Sequence, residues 1–136
     1  MRAEIAVTVD NVILCQVEEK FKLVLVKRKN EPFKDKWALP GGFVEQEEEL
    51  SEAAKRELQE ETGLVVEKNE QIGTFGKPGR DPRGRTISIV YLSLIHCQEQ
   101  LHGNDDAAQA EWFEIDNLPE LAFDHSEIVK TAYQYL

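Results

Sequence analysis

Residues 56–63 read Arg56-Glu57-Leu58-Gln59-Glu60-Glu61-Thr62-Gly63. Their spacing predicts the last turn of a helix, with Gly63 as its stop. A helix C-terminus carries the negative pole of the backbone dipole, so each acid there is disfavoured by a few tenths to about 1 kcal/mol. Upstream, Leu50, Ala53, Ala54, Glu57 and Glu61 recur at helical spacing, while Glu52, Lys55 and Gln59 fall on the other side. Glu57 and Glu61 therefore continue an apolar stripe and point inward or along a crevice. A charge run is ordinarily a solvated face, and residues 45–61 hold eight Glu against one Lys and one Arg. On an inward face, crowded acids repel one another unless cations join them. Mg²⁺ is the natural cation, being hard, suited to carboxylate and water oxygens, and able to share its shell with substrate phosphates. Arg56 can orient a neighbouring Glu through a forked hydrogen bond.

Outward from this helix, predicted over Leu50 to Glu61, the chain alternates β-prone runs with turns. Ile5 to Gln16 and Phe21 to Lys27 are rich in Val, Ile and Leu and predict a hairpin, with Asp10-Asn11 in the middle of its first strand. Residues 30–36 are polar, and Trp37-Ala-Leu-Pro-Gly-Gly42 predicts a sharp turn, so a loop is expected before the acidic helix. Val65 to Phe75 predicts a long strand, and Thr86 to Ile95 one buried on both faces, joined by the turn-rich Gly-Lys-Pro-Gly-Arg-Asp-Pro-Arg-Gly-Arg. Glu111 to Ile115 predicts a short strand. Asp124 is expected to cap a final helix whose stripe is Ile128, Val129, Ala132, Tyr133 and Leu136. The order strand, strand, helix, three strands, helix implies an α+β fold, a mixed sheet sandwiched by helices.

The 136 residues are the size of one domain, and a 41% hydrophobic content suffices to close a single core. No repeat or linker interrupts residues 1–136, and no residues are expected to form a further DNA-binding domain. A net charge of -10 offers no basic stripe for a nucleic-acid backbone or an anionic membrane. No apolar run is long enough to span a bilayer. Cys15 and Cys97 lie far apart in apolar stretches and read as reduced core thiols, which points to the cytoplasm.

An isolated Glu-x-x-Glu-Glu is a weak signal, but the spacing around it is specific. Gly42 is followed after five residues by Glu48, after seven more by Arg56-Glu57-Leu58, then by Glu60-Glu61, Gly63 and Leu64. This run, Gly41 to Leu64, resembles the complete signature of the Nudix hydrolases, MutT-like enzymes, and Trp37-Ala-Leu-Pro, Ala110-Glu-Trp-Phe and Leu118-Pro are similar to the family's pattern around it. The resemblance implies an α/β/α sandwich with a central mixed sheet. It also implies hydrolysis of a nucleoside diphosphate linked to another moiety, with Mg²⁺ or Mn²⁺ as cofactor. Carried onto this chain, Glu57, Glu60 and Glu61 would bind metal together with the Gly42 carbonyl, Arg56 would hold Glu57, and Glu48 would support the turn into the helix or reach a metal-bound water. A loop acid often completes the proton transfer in the family; Glu99, Asp105 and Asp106 are candidates, Asp106 the best placed, and a solvated acid is an equal reading for each.

The segment Arg80-Asp-Pro-Arg83-Gly-Arg is similar to the phosphate-side loop of the ADP-ribose pyrophosphatase branch. Arg80 and Arg83 are thus candidates to hold the substrate's pyrophosphate or terminal ribose region, against the alternative of an ordinary polar turn. Arg28 is a further candidate, with a surface role equally open. Phe33, Trp37 and Phe75 are candidate stacking partners for adenine, though aromatics in such positions are more often core. His125 reads as a cap-region histidine packed on the sheet. The resemblance thus implies cleavage of ADP-ribose to AMP and ribose 5-phosphate. Hydrolysis of modified nucleoside triphosphates or dinucleoside polyphosphates, and a non-catalytic ADP-ribose-sensing domain, stand as alternatives. A homodimer, frequent in this branch, is open.

Overall fold

The structure, a computed structural model, describes residues 2–97, 100–101 and 109–136. The predicted hairpin is present as β1 (Ala6–Val17) and β2 (Lys20–Lys27), paired antiparallel from Leu14↔Leu23 to Val17↔Lys20. Beyond that register the two strands diverge, and the segment expected to be a loop threads into the wedge. β3 (Trp37–Ala38) pairs with β2 at Val26 and Lys27, while β4 (Gly41–Phe43) pairs with β1 at Thr8 to Asp10. This corrects the sequence expectation. Strands of two and three residues around a Pro-Gly-Gly turn leave no periodicity to read, and their pairing depends on the splay of β1 and β2.

Helix α1 (Leu50–Thr62) follows, closed by Gly63 in the left-handed region at φ 78°, its N–H donating to the Gln59 carbonyl. The strand expected from Val65 begins only at Glu70, as β5 (Glu70–Phe75). Leu64 and Val66 are buried without strand pairing, packed against Leu58, Ile13 and Val24, so the apolar signal there reports a core plug. β6 (Thr86–Leu94) runs parallel to β1 from Ala6↔Thr86 to Leu14↔Leu94 and antiparallel to β5, and β7 (Ala110–Glu114) pairs with β2. The sheet is mixed, as expected. Helix α2 (His125–Tyr133) closes the described fold.

Strand alternation divides the core into two layers. Val12, Leu14, Leu23, Leu25, Val90 and Leu92 face α2, meeting Ile128, Val129 and Ala132. Val9, Ile89 and Tyr91 meet Ala53 and Ala54 of α1 on the opposite face, and Ile13 and Val24 meet Leu58. The helices thus cover the two sides of the sheet. The α2 stripe is narrower than its spacing suggests, for Tyr133 and Leu136 are 50% and 43% exposed. Trp37, edge to face with Phe113, and Phe75 pack against the core. Asp124 occupies the N-cap position but makes no side-chain cap bond.

Cys15 and Cys97 form a disulfide, which corrects the reading of two reduced thiols. They lie 82 residues apart, and only the parallel pairing of β1 with β6, carried on by the Ile95 N–H donating to the Leu14 carbonyl, brings them together. The cytoplasmic expectation loses that support. Among the described residues no helix is long and apolar enough to cross a membrane.

Candidate active site

The last turn of α1, the Leu39 to Phe43 segment and the loop before β6 enclose a cleft of about 420 Å³. Its acidic end is built from helix spacing. Glu57 and Glu61, one turn apart, both face the Gly41-Gly42 backbone. Glu61 accepts the Gly41 N–H at 2.7 Å. A methyl group at Gly42 would lie 2.6 Å from the Glu57 carboxyl carbon, so only glycine lets the backbone approach that carboxylate. Glu60 also lines the cleft, its side chain 47% exposed, and reaches the edge of the Arg56 guanidinium at 3.4 Å.

Arg56 organises this corner. It donates through Nε and NH2 to the two oxygens of Glu48 at 2.6 and 2.9 Å, and through NH1 to Glu57 at 2.8 Å. Glu48 also accepts the Glu45 N–H at 3.1 Å, tying the loop to the helix start. The Arg56 hydrogen bond holds the Glu48 carboxyl below its usual range, and the bond to Glu48 holds Arg56 firmly charged. Burial raises the Glu57 carboxyl, offset in part by Arg56. Glu61 is pushed up to about 8, first by burial and then by Glu57, Asp10 and Glu60, with the Gly41 N–H acting against the shift.

The opposite wall is cationic. Arg80, Arg83 and Arg28 all line the cleft, but they are not equivalent. Arg80 is bound in a two-pronged pair with Asp124 at 2.7 and 2.9 Å and its side chain is 5% exposed, so its guanidinium braces the loop against α2. Arg83 pairs with Asp81 at 2.8 Å yet stays 45% exposed, standing 5.4 and 5.6 Å from the ring centres of Phe43 and Phe123. Burial works against the Asp81 carboxylate, and the Arg83 bonds outweigh it, so its pKa is lowered. Arg28 donates to the Pro32 carbonyl at 2.7 Å and lies 4.9 Å from the Phe123 ring centre. Burial, and next the Arg83 charge, lower its pKa.

Several cleft residues lay outside the candidate set drawn from the sequence. Phe123, with φ 53°, meets Phe33 edge to face at 4.8 Å, and no local signal announces that placement. Asp10 is 7% exposed and lines the cleft; a carboxylate within an apolar strand run is itself the signal that could have found it. His125 is packed on the sheet, as expected, and also lines the cleft. Glu99, Asp105 and Asp106 lie outside the described residues.

Among the described residues no three carboxylate, histidine or cysteine groups stand at metal-ligand spacing. The donor chemistry nevertheless fits a hard divalent cation. Glu61 is a buried carboxylate whose ionisation the protein opposes, Glu57 abuts it, and the glycine backbone between them leaves no side chain in the way.

The profile of the NUDIX domain family matches residues 6–132. An ADP-ribose pyrophosphatase of Methanocaldococcus jannaschii is 50% identical over 125 residues, covering 92% of this chain and 71% of that protein. The ADPR responsive transcriptional repressor NtrR of Acinetobacter baylyi is 35% identical over 95% of this chain, which spans about half of the repressor's length (53%). The NUDIX domain of Shewanella oneidensis NrtR, solved in complex with ADP ribose, superposes with a TM-score of 0.90 at 30% identity, covering 99% of this chain and 90% of that domain.

Proposed function

The chain belongs to the NUDIX domain family, and on that premise we propose that it hydrolyses ADP-ribose to AMP and ribose 5-phosphate in the presence of a divalent cation, Mg²⁺ or Mn²⁺. The observation that carries the reading is the polarity of the cleft, with Glu57 and Glu61 against the Gly41-Gly42 backbone at one end and Arg28 and Arg83 at the other. A bridging pyrophosphate has the charge to link the two ends. The chain's 50% identity to an ADP-ribose pyrophosphatase favours the substrate.

Glu57, Glu60, Glu61 and the Gly42 carbonyl would hold the cation. When bound, it supplies charge neutralisation of the pyrophosphate and activation of water for attack on phosphorus. The chain's own residues set the geometry. Arg56 fixes the Glu57 carboxylate through a guanidinium itself anchored on Glu48, so the ligand is oriented before a cation arrives. The Gly41 N–H holds Glu61. Arg83, supported by Asp81 and two aromatic rings, presents its remaining N–H donors to phosphate oxygens, with Arg28 beside it. Arg80 acts on the loop through Asp124. Asp106 remains the candidate for assisting proton transfer.

Purified protein incubated with ADP-ribose and Mg²⁺ in ¹⁸O-labelled water should yield AMP and ribose 5-phosphate, one of them carrying the label, which identifies the attacked phosphorus. Equal or faster turnover of 8-oxo-dGTP or a dinucleoside polyphosphate would overturn the substrate assignment. A second reading, binding without cleavage, is favoured by the likeness to a repressor. Calorimetric binding of ADP-ribose with no product in the presence of Mg²⁺ or Mn²⁺ would establish it instead. A net charge of -10 speaks against nucleic acid as a partner of this chain. A homodimer belongs to the same proposal, with Ile5 and Val7, 48% and 37% exposed, as apolar surface to cover.

A further inference from the structure

A buried polar chain reaches the cleft wall at Asp10 and His125 without contributing a group to the reaction proposed above. Asp10, Ser88 and His125 are 7%, 0% and 4% exposed. The Ser88 hydroxyl donates to Asp10 Oδ2, Asp10 Oδ1 faces His125 Nε2 at 3.6 Å, and His125 Nδ1 accepts the Leu39 N–H at 3.0 Å. With Nδ1 accepting, the neutral ring carries its proton on Nε2, the side that faces the carboxylate. Burial lowers the His125 pKa and keeps the ring neutral. Ser88 in turn fixes the second oxygen of Asp10, so β1, β6 and α2 jointly set the ring's orientation.

Leu39 opens the turn between β3 and β4 and is followed by Pro40 and then by Gly41 and Gly42 of β4. The Pro40 carbonyl accepts the Asn11 N–H at 2.8 Å and Asn11 Nδ2 at 3.1 Å, and the Gly41 N–H is held by Glu61. Three consecutive residues are thus gripped by α2, β1 and α1 respectively. The grip on Leu39 is the one made from the α2 side of the sheet, and it lies three residues from the carbonyl proposed as a ligand.

We propose that Asp10 and His125 are positioning residues, which fix the Leu39-Pro40 turn at the entry to β4 and through it set the Gly41 amide against Glu61 and the Gly42 carbonyl beside Glu57, where a cation would join them. The inference rests on the cation-binding reading of the site. Groups that orient a metal ligand through hydrogen bonds commonly change metal affinity without touching the metal.

The test uses the whole chain as His125→Ala, His125→Asn and Asp10→Ala variants. Three quantities are read: amide hydrogen exchange at Leu39 and Gly41 without metal, Mn²⁺ affinity by calorimetry, and kcat and KM for ADP-ribose. His125→Ala should accelerate exchange at both amides, weaken Mn²⁺ binding by roughly 10- to 100-fold and lower kcat, with little change in KM. His125→Asn places an acceptor oxygen on the carbon corresponding to the one that bears Nδ1, and should restore most of the Mn²⁺ affinity and Leu39 protection. Wild-type Mn²⁺ affinity and Gly41 exchange in both alanine variants would overturn the proposal, as would an Asn variant no better than a folded Ala variant. Should His125→Ala fail to fold, Asp10→Ala is read on Leu39 and Gly41 exchange, because loss of its charge beside Glu61 acts on Mn²⁺ affinity by itself. Wild-type protein that shows this Mn²⁺ dependence on His125 but leaves ADP-ribose intact would refute the activity and leave the positioning role standing.

Discussion

Without a cation, burial pushes the Glu61 carboxyl up to about 8, against 4.5 for a solvated glutamate. A raised folded-state pKa means that the folded chain keeps a proton which the unfolded chain has released. The stabilisation is therefore complete below the unfolded value and is lost as pH climbs through 4.5 to about 8. Within that window the slope contributed by this one group is about 1.4 kcal/mol per pH unit. Glu61→Gln is neutral at every pH and keeps an oxygen for the Gly41 N–H, so it should remove this slope and leave the fold intact. Urea unfolding in EDTA from about pH 5 to about pH 8 measures it, the variant gaining on wild type at each step. Mn²⁺ at one hundred times its Kd should then stabilise wild type by about 2.7 kcal/mol and the variant far less. Turnover of ADP-ribose should fall at least ~100-fold. Parallel pH curves for the two proteins, or equal stabilisation by Mn²⁺, would refute the account of Glu61 as a buried acid waiting for a cation.

The two adjacent glycines should separate fold from function. Gly42→Ala forces the Glu57 carboxylate, 2.6 Å away, off its place, so Mn²⁺ affinity and kcat should drop while the melting temperature changes little. At Gly41 the added carbon would stand 2.1 Å from the Val9 carbonyl oxygen, in the backbone, so Gly41→Ala should destabilise by about 3 kcal/mol or more, read by urea unfolding. The two cleft arginines, each paired with an aspartate, should differ in their effect on substrate binding. Arg80→Ala strands the part-buried Asp124 and should destabilise by about 3 kcal/mol in urea unfolding. Arg83→Ala should raise the KM for ADP-ribose and, because it strands the Asp81 carboxylate, whose side chain is 4% exposed, should lower the melting temperature as well.

Local periodicity carried a great deal. The stripe of Leu50, Ala53, Ala54, Glu57 and Glu61, stopped at Gly63, was legible because helix geometry repeats within four residues and a left-handed glycine ends it. The β1–β2 hairpin, the buried β6 strand and the mixed sheet were legible for the same reason, since burial on one or both faces writes itself into alternating or continuous apolar runs. The inward direction of Glu57 and Glu61 followed from that stripe. Glu60 falls off that stripe, and its half-exposed carboxylate lines the cleft nonetheless.

Long-range pairing was beyond such signals. The insertion of β3 and β4 between diverging strands, the Arg80–Asp124 pair across 44 residues, the Cys15–Cys97 disulfide across 82 and the His125–Leu39 bond across 86 have no trace in the spacing of neighbouring residues. The first exists because β1 and β2 splay apart, the others because β1 lies parallel to β6 or because α2 returns to the sheet. The amino-acid sequence alone therefore determined which residues could form a carboxylate cradle and which helix would carry it. The tertiary structure decided which cation stays exposed to face it, and what grips the turn opposite. Those choices depend on contacts between segments brought together only when the sheet closes.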